Sequence, residues 1–148
     1  MKNPTSILVV LDKPKHDQAA LAEALKIQAS SGGAQLRLVS FVWHPMVEQK
    51  EVFDAHQRRS LKREIVRTRE QWLRDLIRDQ QLTSAPVTIE VVWTSDIGAW
   101  VAAESAGVDL VLKSVHKSKT LLHTPLDWQL VRECRQPLLL VGGEQGRR

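Results

Sequence analysis

The chain has 148 residues, which suits one globular domain with a single core. Its 43% hydrophobic and 26% charged residues are ordinary for a folded soluble protein and exclude the disordered and fibrous classes. The net charge of +4 is uneven: residues 56–81 hold eight basic side chains against four acidic ones, so the rest of the chain is about neutral.

No stretch approaches the ~20 apolar residues of a membrane helix. The first apolar run, Ile7 to Leu11, is too short for the core of a signal peptide and is stopped by Asp12 and Lys13. The single cysteine, Cys134, has no partner for an internal disulfide. These features fit a cytoplasmic protein with no membrane association, and Cys134 reads as a small core residue.

Thr5 to Leu11 is a continuous apolar, β-branched run, the pattern of a strand covered on both faces. Asp12-Lys13-Pro14 breaks it, and Asp17 is placed to cap the helix that follows. That helix carries Ala20, Leu21, Ala24, Leu25 and Ile27 at helical spacing and ends at Gly32-Gly33. Leu36 to Trp43 is a second strand, stopped at His44-Pro45. A long helix is predicted from Gln49 to Gln81, with Leu61, Ile65, Trp72 and Leu76 on its inner face. Val87 to Trp93 is a third strand, Asp96 to Ala106 a short helix, and Val108 to Ser114 a fourth strand. After a loop come a helix from Leu126 to Arg135 and a last strand, Leu138 to Val141.

Alternating strands and helices predict an α/β fold: a five-stranded, doubly wound parallel sheet with helices on both faces. Ligands of such sheets bind beyond the carboxyl ends of the strands, where the winding reverses. With the first and fourth strands as central neighbours, the loops 12–16 and 114–125 meet there, which singles out Asp12, Ser114, His116 and Lys117.

The order of elements, the first strand ending at Asp12, the run Asp109-Leu110-Val111-Leu112 and His116 behind it resemble the universal stress protein family over nearly the whole chain. The string Thr124-Pro125-Leu126-Asp127-Trp128, with Arg132, Cys134 and Pro137, is similar to its E-type subclass, whose members usually hold two such domains in tandem. The chain resembles one half, most like the first, and reads as a single domain over 1–148. The resemblance implies the Rossmann-like, adenine nucleotide alpha hydrolase-like sheet with strand order 3-2-1-4-5. Its nucleotide-binding members carry Gly, two residues, Gly, nine residues, then Gly followed by Ser or Thr. Here that spacing falls on Ser114, Lys117, Asp127 and Trp128. In such members an aspartate at Asp12 would approach the base or ribose, and a residue near Phe41 or Val42 would pack on the adenine. Phe41, Val42, Asp12, Ser114, His116, Lys117, Asp127 and Trp128 are therefore the candidate cleft.

The glycines allow close backbone approach and positive φ. Their replacement predicts that ordinary ATP binding is lost and that the chain keeps no cofactor. Asp127 would satisfy the last helix's own N-terminus and repel a phosphate there. Trp128 would be a large aromatic closing the cleft.

His116 and His123 lack a third ligand, so no metal is expected. Asp12 reads equally as a ligand group or a turn cap. No nucleophile elbow, Walker-type loop or dinucleotide fingerprint is present, so no catalytic residue is assigned. Arg59, Arg63, Arg67, Arg74 and Arg78 fall in one stripe of the long helix, at about 100° per residue. Glu70 lies in that stripe, one turn from Arg74, and the stripe reads first as a solvated face rather than a nucleic-acid site. The apolar last strand, Leu138, Leu139, Leu140 and Val141, is an edge that should be covered, and the resemblance implies pairing with its equivalent in a homodimer or tandem domain. The expected role is a stress-response interaction module that binds a protein partner or a small ligand in the cleft. The alternatives are a divergent ATP- or AMP-binding stress protein, possessing slow ATPase activity at most, and a nucleic-acid binder through the stripe.

Overall fold

In the computed structural model, which describes residues 4–11, 18–80, 86–115 and 125–142, the five expected strands are β1 (Ser6–Val10), β2 (Gln35–Val42), β3 (Val87–Trp93), β4 (Leu110–Val115) and β5 (Leu138–Gly142). They pair in parallel in the order β3-β2-β1-β4-β5. Four α-helices join them: α1 (Ala19–Ser30), α2 (Ala55–Asp79), α3 (Ile97–Glu104) and α4 (Pro125–Glu133).

Successive side chains of β1 turn to opposite faces, and the core divides accordingly. Ile7, Val9 and Leu11 pack with Leu21 and Ala24 of α1 and Leu73 of α2. Leu8 and Val10 pack with Val101 of α3 and Leu130 of α4. All of these are essentially fully buried. Each such Leu, Ile or Val contributes about 1.5–3 kcal/mol, so this central strand anchors the core on both faces. With α1 and α2 on one face and α3 and α4 on the other, the winding reverses between β1 and β4, which pair from Ile7↔Leu110 to Val10↔Lys113.

Two boundaries differ from the sequence expectation. The long helix starts at Ala55, not Gln49, because Asp54 and Gln57 form a reciprocal capping box: the Asp54 carboxylate accepts from the Gln57 amide at 2.8 Å, and the Gln57 side chain accepts from the Asp54 amide at 3.0 Å. The residues before it form a single 3-10 turn, Pro45–Glu48. The end of α1 is as expected: Gly32 and Gly33 take φ of 84° and 104°, a conformation that favours glycine. The proposed cap Asp17 lies outside the described residues.

Candidate functional site

Three polar side chains lie at the carboxyl ends of β1, β2 and β4: Ser114 and Arg69 on the face covered by α1 and α2, and Lys113 on the face covered by α3 and α4. On the α1 face, the Ser114 hydroxyl accepts a hydrogen bond from the Ala20 amide at 2.8 Å. It thereby takes one of the free N–H groups at the start of α1, a group that would otherwise be available to an anion.

On the opposite face, Lys113 is fully buried, with its Nζ 2.6 Å from Oδ1 of Asp127, itself 99% buried. The same Nζ donates to the Ser114 carbonyl at 3.0 Å. A lysine in a strand covered on both sides has no route to water, so a buried carboxylate is the partner that makes its charge tolerable. Asp127 lies in the first turn of α4, where the helix dipole also favours a negative charge. It is the third residue of that helix rather than its cap. Its carboxylate is turned into the protein to meet Lys113, a partner beyond the helix-end role expected of it.

At the end of β2, Arg69 reaches in from α2. Its Nη1 donates to the Ser40 hydroxyl at 2.7 Å and to the Phe41 carbonyl at 2.9 Å. Ser40 in turn donates to the Leu11 carbonyl at 2.8 Å, so the guanidinium ties the ends of β1 and β2 together.

The remaining candidates separate. Phe41 and Val42 are neighbours in one strand and so face opposite ways. Phe41 packs edge-on against Trp100, ring centroids 5.4 Å apart at 74°, within the core beneath α3. Val42 faces α2 and lines a cavity of about 430 Å³ with Leu61, Ile65, Thr68, Glu64 and Arg69. Only Val42 is thus placed to meet a ligand from the α2 side. Trp128 is 53% exposed. One residue along a helix is a turn of about 100°, and with Asp127 turned inward Trp128 is carried to the outside. Asp12, His116, Lys117 and His123 lie outside the described residues. Sequence reasoning missed Lys113, Ser40 and Arg69. The signal for Lys113 was legible: it is a lone charge in the buried run Leu110-Val-Leu-Lys-Ser-Val115.

A family model described as "Universal stress protein family" matches residues 4–142. The chain belongs to the universal stress protein family. It is 28% identical over 141 residues to Universal stress protein E of Escherichia coli strain K12, a match that covers 92% of this chain and 44% of the relative. It is 29% identical over 148 residues to Universal stress protein E of Photorhabdus laumondii, covering 95% and 46%. The chain therefore spans about half the length of the curated relatives it matches, as the resemblance to one half of a tandem protein implied. Among solved structures, the universal stress protein UspA of Lactobacillus plantarum superposes with a TM-score of 0.70 at 18% identity, covering 95% of this chain and 99% of that one. The universal stress protein of Archaeoglobus fulgidus in complex with dAMP superposes at 0.57 with 15% identity, covering 93% and 97%. These likenesses fix the fold.

Proposed function

We propose that this universal stress protein domain has given up the family's phosphate seat and acts as a cytoplasmic stress-response interaction module without catalytic activity. The observation that carries the reading is the buried Lys113–Asp127 pair. Asp127 stands at the third glycine position of the nucleotide-binding pattern, and Ser114, at the first, is engaged with the start of α1. An incoming phosphate would have to displace a carboxylate from its lysine and meet that carboxylate's charge in a site of low dielectric. Self-association runs through β5, whose outer edge carries Leu138, Leu139, Leu140 and Val141.

A second reading keeps a nucleotide but holds it by the base. It is favoured by the cavity beside Val42, whose volume and largely apolar lining suit a small aromatic ring, and by a relative's complex with dAMP. Thermal unfolding with and without Mg-ATP, Mg-ADP and AMP tests both. Ligand at 100 times its dissociation constant adds about 2.7 kcal/mol. The first reading expects no shift with any of the three. A shift specific to ATP contradicts it, and equal shifts with ATP and AMP establish the second.

A further inference from the structure

The α2 arginine stripe, which also holds Glu70, is left mostly without ion pairs among the described residues. Arg59, Arg63, Arg67, Arg74 and Arg78 are all exposed. Among the described residues, the expected Glu70–Arg74 pair is absent, and only Arg78 is paired, with Asp75 at 3.2 Å and Asp79 at 3.8 Å. From Arg59 to Arg78 the stripe runs about 28 Å along the axis, at 1.5 Å per residue. Arg63 and Arg67 line an open groove along the helix, of about 790 Å³, with Glu64, Trp72 and Asp75 also in its lining. The two remaining arginines of α2 are turned away from the stripe: Arg58 donates to the Phe53 carbonyl at 2.6 Å, and Arg69 is bound at the end of β2.

From this placement we infer that the outer face of α2 binds the phosphodiester backbone of nucleic acid, without reading its bases. Protein interfaces are usually anchored by a buried aromatic or aliphatic side chain. Every exposed large apolar residue among those described lies off this helix: Trp43, Met46, Val52, Trp128, Val131 and Leu139. A straight row of charges with no apolar anchor suits a repetitive polyanion better than the acidic patch of a folded partner. Trp72 borders the groove but is half-buried against the core, so contact is chiefly through phosphates.

The test is fluorescence anisotropy of the full chain with a mixed-sequence DNA duplex, with polyglutamate as the competitor. Four phosphate contacts predict a log–log salt slope of about −3 to −4, a loss of affinity of about 10²-fold between 50 and 200 mM salt. Arg63→Glu with Arg67→Glu should abolish binding. Lys26→Glu with Lys50→Glu lowers the net charge equally at exposed sites off α2 and should change affinity no more than about twofold. Arg59→Ala with Arg74→Ala should flatten the slope by about 2. No binding at 50 mM salt, equal loss in both charge-reversed proteins, or displacement by polyglutamate as effective as by unlabelled duplex overturns the inference.

Discussion

The lysine at position 113 and the serine at 114 are consecutive in β4 and do opposite jobs because a strand turns alternate side chains to alternate faces. Ser114 reaches α1, and Lys113 reaches α4. Between them they engage helices on both sides of the sheet at the end of β4. A second carboxylate, Asp109, ties down the other end of the sheet: it accepts from the Thr5 hydroxyl at 2.7 Å, the Thr5 amide at 2.8 Å and the Ser6 amide at 3.3 Å. The hydrogen bonds from Thr5, hydroxyl first, hold its pKa below the usual carboxylate value. A depressed folded pKa gives stability that is complete above the unfolded value of about 3.9 and is lost as pH falls through the folded value. Asp109→Asn should therefore lower the urea midpoint at pH 7, and the difference from the unsubstituted chain should shrink as the pH is taken below about 4. A difference independent of pH would show that the carboxylate's charge is not what matters. Burial, and after it the neighbouring Glu133, pushes the Cys134 thiol pKa up, as suits a packing residue.

The elements were legible where periodicity and punctuation agreed. The continuous apolar run of β1 read as a strand covered on both sides, the runs of β2 and β4 read as strands, and Gly32-Gly33 ended α1 where the backbone needed positive φ. The start of α2 was misjudged because the Asp54 and Gln57 capping box was overlooked in a segment of otherwise helix-tolerant residues. The site was less legible, for a physical reason. Asp127 could be recognised by spacing, but its partner is 14 positions away in sequence and on another element, and only the fold brings the two together. Arg69 was hidden among seven other basic residues of one segment. At this scale the proposed role predicts that β5 is an interface. Leu139, 38% exposed on that edge strand, is the position to test. Leu139→Lys should convert a dimer to a monomer in sedimentation velocity with little loss of stability, since charges on an edge discourage pairing. A chain that is monomeric before substitution contradicts edge pairing.

Across the whole molecule, the family's sheet is retained. The order β3-β2-β1-β4-β5 still brings β1 and β4 together at the reversal of winding. What meets there is a serine, a lysine and an arginine already engaged by the protein. The cavity beside Val42 remains on the α2 side, and the arginine row runs along the outside of the same helix. Interior and exterior of α2 thus present different chemistry, and the two can be tested independently.

The proposed function rests on the Lys113–Asp127 pair being a coupled, buried structural unit. A double-mutant cycle read by urea unfolding tests it most directly. Lys113→Met takes the lysine from the buried carboxylate and Asp127→Leu takes the carboxylate from the buried lysine, so each should cost about 3–5 kcal/mol. The double substitution removes both charges and should be less destabilised than either single one. Single substitutions that each cost under about 0.5 kcal/mol and simply add would mean that water reaches both groups, and the claim would be wrong.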